Sequence, residues 1–248
     1  MLGPSSSQRK IGRVKIEVLP RDAAIELIRA AFKSGRPRLI GFCNAHTVNL
    51  AARNDEFATA LQSFTILNDG VGVDVASRVL YGEAFPTNLV GTDFVPDLLE
   101  ATSSLRVFLL GSATAVSERA LAVLQERYKQ HNFVGAHHGF FAASEDETVV
   151  AKIRKAAPDL ILVGMGQPRQ EVWSQDNLCD IPAVTMCVGA LLEFSAGSVP
   201  RAPSWVRTAR LEWAYRLVLE PRRLGKRYLI GNFEFIARVL RDRASQRL

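Results

Sequence analysis

The chain has three cysteines in 248 residues, Cys43, Cys179 and Cys187. They are odd in number, scattered, and form no CxxC pair, which excludes a disulfide framework and a zinc ribbon and fits a reducing compartment. Histidine is equally sparse, with four residues and no HExxH spacing. Of these, His137 and His138 are adjacent, so on a strand they are expected to point to opposite faces and to make a poor ligand pair. No apolar run reaches the roughly 18 residues that a membrane span needs. The opening MLGPSSSQRKIGR lacks the apolar core of a signal peptide, and residues 1–11 read as a mobile tail. Several catalytic signatures are also missing. There is no GxGxxG dinucleotide fingerprint, no GxxxxGK[ST] P-loop, no GxSxG elbow, and no DxD doublet of the kind that holds a metal in many sugar-nucleotide transferases.

A hydrophobic content of 48% supports one sizeable core. Charge is unevenly spread. Residues 199–248 hold twelve Lys/Arg and four Asp/Glu, a balance of +8; against the whole-chain +6, the remainder carries −2. A basic C-terminal fifth on a near-neutral body calls for an anionic partner: lipid headgroups, a diphosphate or nucleic acid.

Up to Gly197, short apolar runs alternate with amphipathic stretches. Candidate strands are Val14–Val18, Arg38–Cys43, Phe64–Leu67, Arg106–Leu110, Phe133–Ala136, Leu160–Val163 and Ala183–Val188. The clearest helix covers 113–129, where Val116, Ala120, Leu124 and Tyr128 recur at four-residue steps and Ser112 or Thr114 can cap the start. This alternation predicts an α/β fold: a Rossmann-like, mostly parallel sheet with helices on both faces, over residues 12–197. SVPRAP then reads as a linker. It opens a basic helical appendage over 198–248, with one helix from Ser204 to Leu219 and a second from Leu224 to Arg243, the latter carrying Leu229, Phe233, Ile236 and Leu240 on one face. The appendage suits either ordinary packing on the core or a meeting with a membrane or charged acceptor.

The segment PDLILVGMGQPRQEVW, residues 158–173, is a buried strand that ends in Gly164-Met165-Gly166 and hands over to a polar helix start bearing Gln167, Gln170 and Glu171. Open α/β sheets bind ligands at such places, because glycine allows close backbone approach and a helix start offers free N–H groups to an anion. A solvated helix start after a core strand has the same pattern. Other strands end similarly, at Cys43-Asn44, Asn68-Asp69-Gly70, Gly111-Ser112 and Gly189-Ala190, and in a parallel sheet all these ends converge on one cleft. Asp69 there can accept a proton from a hydroxyl nucleophile, although Asn-Asp-Gly is also a common turn.

Taken in order, ILNDGVGVDVASR, VFLLGS, HHGFF, PDLILVGMGQPRQEVW, VGALLEFSAGSVPRAP and RLEWAYRLVLEPRRLGKRY resemble the WecG/TagA/CpsF glycosyltransferases, glycosyltransferase family 26, over roughly residues 12 to 240. The resemblance implies an inverting transferase of bacterial cell-surface polysaccharide biosynthesis, with no metal and no cofactor. It would move a hexosyl or N-acetylhexosaminyl group from a UDP-sugar to a polyprenyl-diphosphate-linked sugar, working peripherally on the inner face of the plasma membrane. It makes Asp69 the general base. It places Asn44, Gly139, Phe140, Gln170 and Glu193 with the donor, beside the turn residues Gly111, Gly166, Gln167, Glu171 and Gly189. Arg216, Arg222, Arg223 and Arg227 are the candidates for meeting the acceptor diphosphate. Phe42 and Asn88 stand where many members carry Thr and Arg, so a donor other than N-acetylmannosamine, such as UDP-glucose, stays open. Two rival readings are a non-enzymatic nucleic-acid-binding protein, prompted by the pI of about 9.5, and a nucleotide-dependent oxidoreductase. The basic residues form no known reader motif, and the missing GxGxxG counts against the oxidoreductase. A homo-oligomer is compatible with all three.

Overall fold

The computed structural model describes residues 7–203, 205–206 and 211–245, without the side chains at 216, 223 and 226–228. The first element is a hairpin, β1 (Gln8–Ile11) paired antiparallel with β2 (Val14–Glu17). Gly12, at φ 58°, turns the chain between them. Residues 8–11 are therefore a strand, where the polar composition predicts a tail. Ile11 is the one fully buried residue of β1, and Arg9 fastens it by donating to Ser77 Oγ and to the carbonyls of Glu83 and Ala84.

The main sheet follows the expected alternation. Its strands are β3 (Arg38–Cys43), β4 (Phe64–Asn68), β5 (Arg106–Gly111), β6 (Asn132–His137), β7 (Leu160–Gly164) and β8 (Val184–Cys187). They lie in the order β4-β3-β8-β7-β5-β6, and every pairing is parallel. The connecting helices are α1 (Arg21–Ser34), α2 (Ala45–Ala51), α3 (Asp55–Ala60), α4 (Val71–Tyr81), α5 (Gly91–Ala101), α6 (Thr114–Arg127), α7 (Asp146–Ala156), α8 (Arg169–Leu178) and α9 (Leu191–Ser195). Strand residues alternate between two cores, as a sheet covered on both faces requires. Phe108, Leu110, Ile161 and Val163 pack with Val48, Phe57, Val73, Ile153 and Trp173 on one face. Val107, Leu109, Leu160 and Leu162 pack with Ile28, Phe94, Leu98, Leu124 and Leu192 on the other.

The face assignment locates a switch point. Val48 of α2, which follows β3, belongs to one core, and Leu191 and Leu192 of α9, which follows β8, belong to the other. The two neighbouring strands thus send their helices to opposite faces, and β3 pairs with β8 only over Arg38–Ile40. Beyond that register a crevice opens at the carboxyl ends of the strands, where such sheets take their ligands. The α6 periodicity is observed, with Ala120, Leu124 and Tyr128 buried, but its capping differs from expectation. Ala113 occupies the N-cap position without a side-chain bond. The Ser112 backbone instead ties strand ends together, its N–H donating to Gly164 O and its carbonyl accepting from Gly139 N.

After the sheet come α10 (Glu212–Leu219) and α11 (Pro221–Ser245). The second helix begins three residues earlier than expected, with proline in the first position, where its missing N–H costs nothing. Of the first expected helix, Trp205, Val206 and Glu212–Leu219 are helical, Leu211 is not, and residues 204 and 207–210 lie outside the described residues. The last helix is not free-standing. Phe235 and Val239 join the core that α2 and α4 cover, Asn49 Nδ2 donates to Gly231 O at 2.7 Å, and Arg53 pairs with Glu234. The stripe picked out by sequence, Leu229, Phe233, Ile236 and Leu240, is the face left in solvent, 52–76% exposed.

Candidate active site

Backbone proximity makes the floor of the cleft. A Cβ on Gly111, at φ 146°, would lie 2.3 Å from Gly164 O, and one on Gly164 would lie 2.7 Å from Gly189 O. A Cβ on Gly139 would meet the Gly111 Cα at 2.9 Å. Three strand-end glycines, Gly111, Gly164 and Gly139, therefore pack against neighbouring backbone as only hydrogen side chains allow, with Gly189 lending its carbonyl at the end of β8. Gly166 is exposed at φ 80° with nothing near its would-be Cβ, so it serves the turn into α8. The Gln167–Pro168 peptide is cis.

Asn44 and Asp69 come together at the ends of adjacent strands. Asn44 is the N-cap of α2, its Oδ1 accepting from His46 N at 3.0 Å and Thr47 N at 3.3 Å. With the oxygen so engaged, the amide nitrogen faces Asp69 and donates to its Oδ2 at 3.3 Å. The backbone holds Asp69 too, its N–H donating to Cys43 O at 2.8 Å. Burial, with the Asp69 charge adding to it, drives the Cys43 thiol far above its ordinary range, so it stays neutral. Asp69 itself is half-buried. Asn88 Oδ1 accepts the Gly70 N–H at 2.7 Å and so fixes the turn that carries Asp69 into α4. Phe42 packs edge-on to Phe94, and its ring lies 3.1 Å from where a Gly91 Cβ would stand. Asn88 thus braces the turn after Asp69, while Phe42 fills the core against Phe94 and Gly91.

The helix-start cluster divides. Gln167 is half-buried, whereas Gln170 and Glu171 are 2% and 0% exposed. Expected at the donor, these last two lie beneath the cleft. Gln170 Oε1 accepts the Gly166 N–H at 3.1 Å, and its Nε2 donates to Glu171 Oε1 at 2.8 Å. Gln167 Nε2 donates to the same Glu171 oxygen at 3.1 Å, while its Oε1 accepts from Thr47 Oγ1 at 3.0 Å. Burial pushes the Glu171 carboxyl up to about 7, against the pull of the two amides. Glu171 Oε2 has no partner among the described residues.

At the other end of the cleft, Phe140 is 75% exposed, and Arg169 stacks over Phe141, whose carbonyl it also reaches at 2.7 Å. His137 ends its strand, so the pair is not splayed as alternation predicts: the rings of His137 and His138 lie 4.4 Å apart, and His137 Nδ1 contacts His138 O. Burial lowers the His137 pKa from its usual value. Among the described residues no group of three or more His, Cys, Asp or Glu is placed to hold a metal, and no helix is long and apolar enough to cross a membrane. Glu193 sits in the first turn of α9, half-buried, its Oε2 without a partner among the described residues. Arg222 is exposed on the first turn of α11, and the side chains of Arg216, Arg223 and Arg227 lie outside the described residues.

Sequence reasoning passed over Thr47 as a site residue, and it marked Asn88 only for the arginine it replaces. Thr47 stands three residues after Asn44, the spacing of a capping box, and its hydroxyl accepts the Asn44 N–H at 3.1 Å. The bond of Asn88 to the Gly70 N–H spans 18 residues, so nothing local marks that role.

Two N-acetylglucosaminyldiphosphoundecaprenol N-acetyl-beta-D-mannosaminyltransferases, from Staphylococcus aureus strains NCTC 8325 and MRSA252, are each 34% identical to this chain, over 78% of it and 73% of their own length. The model of the glycosyl transferase WecG/TagA/CpsF family matches residues 9–248. With a glycine-floored cleft at the switch point of a parallel sheet and a match over nearly its whole length, the chain belongs to the WecG/TagA/CpsF family of glycosyl transferases.

Proposed function

We propose that the protein transfers a hexosyl or N-acetylhexosaminyl group from a UDP-sugar to a polyprenyl-diphosphate-linked sugar, with inversion and without a metal. The observation that carries the reading is the placement of Asp69, half-buried at a strand end and bonded to Asn44, beside a floor of glycines and the N-termini of α2 and α4. A diphosphate suits such a floor, because backbone N–H groups approach it without side chains between and helix starts favour negative charge.

The reaction is a single displacement. The acceptor hydroxyl gives its proton to the Asp69 carboxylate, and its oxygen forms a bond to the anomeric carbon from the face opposite UDP. The bond from that carbon to the β-phosphate oxygen breaks, and UDP leaves with the electron pair. Backbone N–H groups and a basic side chain of the C-terminal helices meet the developing charge. Asp69 then returns the proton to solvent.

The protein works on the inner face of the plasma membrane, held there by α11. Leu229, Ile230, Phe233, Ile236 and Leu240 form an exposed apolar stripe, and Arg222, Arg241 and Arg243 stand near its ends. An apolar face flanked by cations is the amphipathic pattern that lies in an anionic lipid interface.

The test is UDP release over a panel of UDP-sugars with a short-chain prenyl-diphosphate-linked N-acetylglucosamine as acceptor, with and without EDTA. Acceptor-dependent release from one UDP-sugar, unaffected by EDTA, is the expected result. Release that requires a divalent metal, or activity only with a non-uridine donor, contradicts the reading.

A further inference from the structure

Glu171 is unusual for a side chain that no solvent reaches. It is a carboxylate with one oxygen accepting two amide donors and the other with no partner among the described residues. A buried polar group kept in this state costs stability and calls for a function. The groups that face it are Gln167 and Gln170, its own backbone N–H, and Cys187 of β8, whose charge-bearing form Glu171 disfavours. Cys187 is the one titratable group among these, and burial keeps its thiol protonated.

The hydrogen-bond chemistry gives the network a direction. An ionised carboxylate only accepts, so both glutamines must present their NH2 groups to it. Gln170 agrees independently, since its oxygen takes the Gly166 N–H. The oxygen of Gln167 is thereby turned outward to Thr47, whose single hydroxyl proton goes to it at 3.0 Å. The Thr47 oxygen remains free to accept the Asn44 backbone N–H at 3.1 Å. A reversed Gln167 amide would set its oxygen against Glu171 and near the Phe42 carbonyl, which the amide nitrogen approaches at 3.5 Å. The hydroxyl proton of Thr47 would then have to turn to Phe42 O or Asn44 Oδ1, each at 3.4 Å. The second choice disturbs the residue whose Nδ2 holds Asp69.

We propose that Glu171 is a positioning residue, which sets the orientation of the Gln167 amide and, through Thr47 and Asn44, that of the Asp69 carboxylate. The catalytic consequence rests on the reading of Asp69 as the base; the relay itself does not. The burial that raises the Glu171 carboxyl to about 7 makes the relay sensitive to pH near neutrality. Protonated, Glu171 no longer demands two donors, and Gln167 is released to turn.

The experiment follows side-chain amide resonances of the 15N-labelled full chain between pH 5.5 and 8.5, in the native protein, E171Q and T47V. In the native protein Gln167, Gln170 and Asn44 should move with one midpoint near 7, and in E171Q all three should lose that midpoint. In T47V, Gln167 should still titrate while Asn44 does not. An Asn44 resonance that ignores the Gln167 midpoint, or that keeps it in T47V, overturns the relay whatever the substrate is. In transfer assays, E171Q should lower kcat by about ten- to a hundredfold, the scale of a small misplacement of a catalytic group, with little change in KM. Its kcat should also lose the native dependence on pH near 7. An unchanged kcat, or effects of E171Q and T47V that multiply independently, overturns the link to Asp69. A native enzyme inactive with every UDP-sugar counts against the donor assignment and leaves the resonance result standing.

Discussion

A buried glutamate that titrates near neutrality should make the native protein less stable as the pH rises. In the unfolded chain Glu171 ionises at its ordinary value of 4.5, and in the folded protein it does so at about 7. Between these values the folded state binds more protons than the unfolded state, so stability falls with pH. The contribution is fully present below 4.5 and is lost as the pH passes through 7. At about 1.4 kcal/mol per tenfold, the whole interval is worth about 3 kcal/mol, most of which falls between pH 5 and pH 8. No solvent screening reduces this, because the side chain is 0% exposed. E171Q has no such titration. Its amide does leave a donor where Oε2 stood, at a fixed cost of about 1–3 kcal/mol, so the decisive quantity is the change with pH. Urea unfolding at both pH values should show the stability difference, native minus E171Q, shifting by about 2–3 kcal/mol toward the mutant from pH 5 to pH 8. Parallel pH profiles for the two proteins would refute a strained carboxylate at this position and remove the reason to look for its function.

The other predictions concern the floor and the docking face. Gly111→Ala should cost about 3 kcal/mol or more, since its Cβ meets the Gly164 carbonyl at 2.3 Å in a backbone conformation that alanine resists; Gly166→Ala, with open space around it, should cost only about 1 kcal/mol. Thermal unfolding of the two variants checks the contrast. Phe233→Asp with Ile236→Asp should abolish sedimentation with anionic vesicles while leaving the unfolding midpoint unchanged, because both side chains stand in solvent. Deleting residues 199–248 is not an equivalent experiment, since it also strips Phe235 and Val239 from the core, and it should yield a chain that does not fold cooperatively.

The sheet was legible because uninterrupted runs such as Leu160–Val163 can only be buried on both sides, and the glycine and Asn-Asp ends followed from the parallel topology. The hairpin strand Gln8–Ile11 was not, because its Gln-Arg-Lys composition mimics a tail, and besides β2 it is contacts with residues some 70 positions away that hold it. On α11, two apolar stripes compete. Periodicity finds Leu229, Phe233, Ile236 and Leu240, yet Leu224, Phe235 and Val239 pack inward, and the choice is made by α2 and α4, which a local pattern does not contain. Gln170 and Glu171 are expected at the donor, and their burial beneath it escapes a local pattern for the same reason. Their burial depends on β8 and on Gly166, and charge alone argues for exposure.

The most direct test of the account is the Asp69→Asn variant, assayed for sugar transfer and for UDP binding by calorimetry. The variant keeps the shape of the side chain and an oxygen for Asn44 Nδ2, and removes the base, which is typically worth about 10²–10⁴-fold in rate. The account predicts turnover lower by at least about a hundredfold with UDP affinity nearly unchanged. Turnover at the native rate would contradict it.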